Sequence, residues 1–398
     1  MKAAASPRQN TPSPLLRIRE GVRHAMAPTP LRTVMIVAVM SRLFVFAVAV
    51  ASSVLFGLNP VCKSIGCWTI TLPFVNIFAR WDSGFYADIA LTGYGTTIVP
   101  RWEFFPLYPI LMGILGRLIA FMFPIPLDLA VYVAGFVLSN VAFFGSVYFL
   151  YRLTELILGN TRTAVQSGIL LALYPAGVFL SAVYSESVFL LLVLISLIYW
   201  YRNKHPLSGM WGFLAGMARP VGVLLAIPYV YDVLTDRSAR KTALNYLSVG
   251  AVLMAFVSFF AYSQIMTGTP FATFAAERLY WKITLSPTYI LTLARNEIIG
   301  HPVIIPYLVI GIGGVFASIL TAHSRAEREI GLFSICLIAA YLLTPIISFP
   351  RYSITLVPMY WTLSKLCYLK WLRISIYALF LVLLAVGTGQ FVNWYSFY

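Results

Sequence analysis

The chain has 398 residues, of which 60% are apolar and only 10% charged, with a mean hydropathy of +0.85. Soluble globular domains carry about 25% charged residues, so composition excludes an ordinary soluble domain. The net charge of +15 is not read as a nucleic-acid footprint, because basic residues in a membrane protein mostly report topology.

Apolar runs of roughly 20 residues recur along the chain, and the alternating pattern of a barrel is absent, which predicts an all-α, polytopic integral membrane protein. The chain opens with a basic tail, residues 1–32, containing Lys2, Arg8, Arg17, Arg19, Arg23 and Arg32. No small-residue cleavage site follows the first apolar run, so Val34–Leu58 is expected to remain as a helix. The rest, 33–398, reads as a single polytopic domain of about 11 crossings. They fall near 33–57, 128–151, 163–180, 186–201, 207–219, 221–235, 242–263, 302–322, 329–348, 353–369 and 374–392. Several are too short to span untilted and must be broken or shielded by protein. The pair 207–219 and 221–235 reads as a hairpin bent at Arg219-Pro220.

Positive charge orients this scheme. With the N-terminus inside, Arg152, Arg162, Arg202, Lys204, Arg237, Arg240, Lys241, Arg325, Arg328, Lys365, Lys370 and Arg373 join the tail on the inner face. Fewer lie outside, as the positive-inside rule requires. Arg42, inside the first helix, is expected to snorkel to the inner face. Phe104–Phe123, interrupted by Pro106, Pro109 and Arg117, is expected to lie on the outer face as a juxtamembrane or partly sunk helix. A large first outer loop, about 59–127, follows. Cys62 and Cys67 within it could form a small disulfide if the loop faces an oxidising compartment. Cys336 and Cys367 lie in apolar runs and read as packed.

That loop contains RWDSGFYADIALTGYGTTIVPRWEFFPLYP, with Asp82, Asp88 and Glu103 among only 13 acidic residues in the chain. Asp82 starts a helix-like stretch whose face would carry Phe85, Tyr86 and Ile89. The bland reading makes Asp82 a helix N-cap with Trp81 an interfacial anchor. The functional reading makes it a carboxylate in a cavity, and the two are compatible. Asp88 falls on another face, and Glu103 beside Arg101 could be a local ion pair of small value.

Glu186 lies where two apolar runs meet, and an ionisable residue at membrane depth is a functional hypothesis by default. Its bland reading is a charge suited to a helix N-terminus. Arg219 and Arg351 each sit at an outer bend beside proline. They are interfacial anchors on one reading and guanidiniums aimed at a phosphate on the other, with Arg80 as a third. No GxxxxGK[ST], GxGxxG or GxSxG motif appears, and only His301 among the histidines falls outside. Nucleotide-fold, Ser/His and histidine-zinc chemistries are therefore not supported.

The pattern runs from Ser41-Arg42-Leu43 through Trp81-Asp82, Tyr86, Ile89-Ala90, Gly93-Tyr94 and Phe104-Phe105-Pro106-Leu107-Tyr108-Pro109. It continues with Tyr174-Pro175-Ala176, Phe179-Leu180-Ser181-Ala182, Tyr184-Ser185-Glu186-Ser187 and Ala218-Arg219. Thr269-Pro270-Phe271, Pro350-Arg351-Tyr352, Pro358 and Tyr360-Trp361 complete it. It resembles the PIG-V family of mannosyltransferases, within the polytopic glycosyltransferases that use polyprenyl-phosphate sugars. Arg101-Trp102-Glu103 departs from the small or apolar residues expected there, so no family role carries over to Glu103. The resemblance implies a catalytic aspartate in the first outer loop, matched by Asp82. It also implies an inverting reaction with a lipid-phosphate sugar donor that enters from the bilayer, without nucleotide sugar.

The expected function is transfer of mannose from polyprenyl-phosphate-mannose to an acceptor hydroxyl of a glycan, glycolipid or protein. The work would be done on the outer or lumenal face, of the plasma membrane or the endoplasmic reticulum. In an inverting displacement one carboxylate takes the proton of the attacking hydroxyl. The leaving phosphate needs cations rather than an acid. Asp82 is the expected base and Arg80, Arg219 and Arg351 the phosphate ligands. Glu186 would position substrate or an arginine, with Trp81, Tyr86, Glu103 and Tyr352 lining the substrate site. Asp82, Asp88 and Glu103 offer the oxygen ligands a divalent cation takes. A monophosphate facing several arginines has less need of one, so no metal or cofactor is expected. The alternative is a transporter or flippase for a lipid-linked sugar, which would also place charge between broken helices.

Overall fold

The computed structural model describes residues 29–60, 62, 70–235, 243–281 and 286–395, and every regular element among them is helical. Among the described residues, five helices are long and apolar enough to cross a bilayer. They are α1 (Pro30–Leu55), α4 (Leu127–Leu158), α9 (Ala243–Thr267), α11 (Ile305–His323, extended at its start by the turn from Pro302) and α14 (Lys370–Val392). Between them run α2 (Ser83–Thr92), α3 (Leu107–Met122), α5 (Thr161–Ala172), α6 (Glu186–Tyr201), α7 (His205–Ala218), α8 (Ala226–Thr235), α10 (Pro287–Gly300), α12 (Arg328–Tyr341) and α13 (Val357–Leu366).

Local chemistry sets the boundaries. Thr29 caps α1 by accepting from the Arg32 amide at 3.2 Å, with Pro30 in the first turn, where its missing N–H costs nothing. The 32 residues of α4 would extend about 48 Å, well past a bilayer core of about 30 Å. The helix stops at Gly159, whose φ of 59° supplies the left-handed C-terminal turn, and Asn160 then caps α5 by accepting from the Thr163 amide at 3.0 Å. Helix α7 packs between α6 and α9. Its Gly209 lies so close to α9 that a Cβ there would stand 2.7 Å from Ser248 Cα, the close approach that small residues permit between apolar helices.

Three expectations are corrected. Helix α5 ends at Ala172 rather than continuing to residue 180, and an irregular buried stretch with a short 3₁₀ turn, Gly177–Leu180, replaces it. Arg42 does not snorkel: it is 2% exposed and donates from Nη1 to Gly177 O (2.8 Å) and Ser181 Oγ (3.0 Å), and from Nη2 to Ala172 O (3.2 Å). Those carbonyls lose their helical partners where α5 breaks, and buried unpaired carbonyls are costly, so the guanidinium is held inside the bundle. The prolines of 104–123 do not interrupt a helix but begin one. Pro109 sits in the first turn of the continuous helix α3, and Arg117 turns inward to the carbonyls of Ala90 and Gly113. Ile110, Ile114, Leu118 and Phe121 leave one apolar face of α3 uncovered.

Of the two cysteines in the first loop, Cys62 is disulfide-bonded and Cys67 lies outside the described residues. Cys336 and Cys367 are free. Most of the basic tail and Arg237, Arg240 and Lys241, expected on the inner face, also lie outside the described residues.

Candidate active site

Several elements end around one cavity: the start of α2, the end of α7, the end of α12 and the short helix Phe349–Tyr352, with the start of α6 behind its wall, joined through the contacts of Glu186 with Arg219 and Arg351. Non-helical backbone at membrane depth is tolerated where it lines such a space.

Asp82 occupies the N-cap position of α2, but its side chain makes no capping hydrogen bond. Its Oδ2 instead accepts from Arg351 Nη1 at 2.7 Å, while its backbone amide donates to the Tyr184 hydroxyl at 3.2 Å. The residue before it, Trp81, has φ of 51°, a left-handed conformation unfavourable for a bulky side chain. Packing of its indole against Trp394, with ring centroids 4.9 Å apart, helps hold it. Such strain clusters where a side chain must be aimed.

Glu186 is the first residue of α6 and 1% exposed. It pairs with Arg219 Nη1, and Arg351 Nε lies 3.2 Å from the same oxygen, Oε1. That second contact is close enough for ion pairing but is not aligned as a hydrogen bond. Arg219 adopts an extended backbone (φ −151°, ψ 141°) because Pro220 follows it and disfavours the helical region. Carboxylates and guanidiniums therefore alternate in the order Asp82, Arg351, Glu186, Arg219. The ring of Tyr352 stands under both guanidiniums, 4.8 Å from Arg351 and 4.9 Å from Arg219, and its hydroxyl accepts from Arg351 Nη2 at 2.9 Å.

This cavity measures about 150 Å³ and is also lined by Tyr86, Glu103, Glu277 and the apolar rings of Phe105, Phe256, Phe260 and Phe274. The Tyr86 hydroxyl is 2.8 Å from Ser185 Oγ. A second space of about 320 Å³ shares Asp82, Glu103, Arg351 and Tyr352 and extends to Tyr280, Trp281 and Glu297. Burial raises the Glu103 carboxyl well above the ordinary range, and the neighbouring Glu277 and Asp82 carboxyls add to the effect. Burial likewise raises Glu277 and Glu297.

The structure thus gathers Asp82, Tyr86, Glu103, Glu186, Arg219, Arg351 and Tyr352. It does not bring Arg80 or Trp81 to the cavity wall. Arg80 is 4% exposed and donates to Val392 O (2.9 Å) and Asn76 Oδ1 (3.1 Å), and burial lowers its pKa to about 10. Arg101 pairs with Asp88 at 3.3 Å rather than with Glu103, which turns inward. Asp82, Asp88 and Glu103 therefore form no common ligand set, and no group of three metal-ligating side chains is found among the described residues. Sequence reasoning missed Glu277 and Glu297, and named Tyr184 only within the family pattern. The two glutamates carried the same signal as Glu103, a scarce acid in a loop beside apolar runs.

The arrangement offers a carboxylate held against one arginine, a second arginine with N–H groups left to donate, and an aromatic wall. A family model described as mannosyltransferase (PIG-V) matches residues 31–293, a stretch that includes Asp82, Glu186 and Arg219 but not Arg351. The chain is 27% identical over 211 residues to GPI mannosyltransferase 2 of Yarrowia lipolytica, covering 52% of this chain and 54% of that protein. With the protein of the same name from Candida albicans it is 26% identical over 198 residues, covering 42% and 50%. The chain thus spans about half the length of the curated relatives it matches. Among solved structures, the apo Archaeoglobus fulgidus oligosaccharyltransferase aligns with a TM-score of 0.49 at 13% identity, over 90% of this chain and 56% of that one.

Proposed function

Since the chain belongs to the mannosyltransferase (PIG-V) family, we propose that it is an inverting transferase moving mannose from polyprenyl-phosphate-mannose to an acceptor hydroxyl. The observation that carries this reading is the alternation of Asp82, Arg351, Glu186 and Arg219, of which Asp82, Arg351 and Arg219 line a cavity that also has an apolar wall.

The acceptor oxygen attacks C1 of the donor sugar and Asp82 takes its proton, as the general base does in an inverting displacement. The bond from C1 to the phosphate oxygen breaks, and its electron pair leaves with polyprenyl phosphate. The phosphate then needs no proton, because guanidinium N–H groups stabilise it. Arg219 spends only Nη1 on a protein partner among the described residues, so it is the principal phosphate ligand. Arg351 is committed to Asp82, Glu186 and Tyr352, and its first task is to orient the base. Glu186 fixes the spacing of the two arginines. The phenylalanines of α9 and of the segment Ala272–Ala276 suit the first isoprenoid units.

The surrounding scheme is about 11 crossings with the basic tail inside and the cavity open to the outer or lumenal face. The disulfide-bonded Cys62 supports an oxidising side for the first loop. The decisive experiment incubates purified protein with polyprenyl-phosphate-mannose and membrane glycolipids and identifies the mannosylated product. Donor crossing sealed vesicles with no glycosidic product would sink the transferase reading.

A further inference from the structure

The two cavities share Asp82, Glu103, Arg351 and Tyr352 but differ in what else they offer. Arg219, Glu277 and the phenylalanine wall belong only to the first. Trp281, Tyr280 and Glu297 belong only to the second. In the first, a guanidinium with free donors stands beside apolar rings, which suits a lipid phosphate. In the second, the only cationic side chain among the described lining residues is Arg351, already engaged by Asp82 and adjacent to Glu186. Against it stand three carboxyls, Asp82, Glu103 and Glu297.

Glu103 and Glu297 are placed to bind hydroxyl groups. Glu103 forms no ion pair among the described residues, and its Oε2 is sealed from solvent without a hydrogen-bond partner. Glu297 spends Oε2 on the Ile347 amide at 3.0 Å, which anchors the side chain. Burial favours the protonated form of each, so each can donate as well as accept. Trp281 contacts Phe85 and Phe104 edge-on, with centroids 6.1 and 6.4 Å away, and Phe85 and Phe104 stack at 5.1 Å. An anion entering here would lose its hydration without finding an uncommitted cation among the described lining residues, and that desolvation is strongly unfavourable.

We infer that the second cavity is the acceptor subsite and that Glu103, Glu297 and Trp281 make it selective for an uncharged hydroxylated ring over an anionic one. The inference rests on the transferase reading, because Asp82 at the junction is what brings the acceptor hydroxyl to the donor. It also gives Glu103 a role that family likeness does not supply.

The test uses the full chain in lipid nanodiscs and measures binding by saturation-transfer NMR. The probes are hexyl α-mannoside and hexyl α-mannuronide, which differ only in a carboxylate at C6. Binding of polyprenyl-phosphate-mannose is measured on the same samples. The mannoside is expected to bind and the mannuronide to bind at least about tenfold more weakly. Trp281→Ala and Glu103→Ala should each weaken the mannoside about tenfold, while Trp281→Phe and Glu103→Gln, which keep a ring and a hydrogen-bonding group, should stay within about threefold. Donor binding should be unchanged in Trp281→Ala, which shows that this variant is folded. Equal binding of the two glycosides, or no effect of Trp281→Ala and Glu103→Ala on the mannoside, overturns the inference. Loss of donor binding in the wild-type protein, with mannoside selectivity intact, would instead count against the donor assignment alone.

Discussion

Arg351 Nη1 stands 2.7 Å from Asp82 Oδ2, joining residues 269 positions apart in the chain. The contact replaces the helix cap that Asp82's position would otherwise favour, and it leaves Oδ1 without a hydrogen-bond partner among the described residues. One oxygen is thus fixed and the other is left to receive a proton.

Replacing that carboxylate isolates its proposed role as base. Asp82→Asn keeps the shape of the side chain and removes most of its basicity, so transfer should fall by roughly 10²–10⁴-fold, the range of general-base contributions. Donor affinity should change far less. Product formation measured beside donor binding checks this; full turnover by the Asp82→Asn variant would remove Asp82 from the chemistry.

Glu186 tests the stability side of the same cluster. Glu186→Ala leaves two guanidiniums facing each other in a buried site, and breaking a buried pair by deleting one partner costs roughly 3–5 kcal/mol. The expected result is a large fall in thermal unfolding temperature together with loss of transfer. A variant as stable as wild type would mean that solvent or lipid already neutralises the arginines.

The two arginines should separate kinetically. Arg219→Lys keeps the charge but not the planar fork, so KM for the donor should rise about tenfold, with the smaller effect on kcat. Arg351→Lys should lower kcat more than it raises donor KM, because Asp82 loses its orienting partner. Identical KM and kcat changes in the two variants would contradict this division of labour.

The raised carboxyl of Glu103 makes a pH prediction. An acid whose pKa is higher folded than unfolded is stabilising in its protonated form, so its contribution is full below the unfolded value of about 4.3 and is lost as pH rises through the folded value. Glu103→Gln removes that dependence. Its unfolding temperature should exceed that of wild type at neutral and alkaline pH, and the difference should vanish in acid. Parallel curves for the two proteins from about pH 4 to 9 would show that Glu103 is not held protonated.

Scarcity made much of this site legible. In a chain with so few charges, Asp82, Glu186, Arg219 and Arg351 each stood out beside an apolar run, and burial forces such groups to find one another. The same signal misled at Arg80 and Arg42. A buried arginine is equally well satisfied by backbone carbonyls, and those came from Val392 and from the break after α5, neither of which leaves a mark near the arginine in sequence. Helix ends were misjudged for a related reason. Hydropathy continues smoothly through residues 173–180, whereas the backbone leaves the helix there to line the polar cluster, so apolarity persists where regular structure does not.

The strained backbone at Trp81 also has a bearing on biogenesis. Trp81 packs on Trp394, and Arg80 is tied to Val392, both contributed by the end of α14. Insertion of α14 therefore precedes completion of the loop that aims Asp82. A ribosome-bound intermediate lacking α14 would hold all four members of the Asp82–Arg351–Glu186–Arg219 cluster and still lack the frame that sets its first carboxylate. Aiming of Asp82 should then depend on α14, which contributes none of the four side chains.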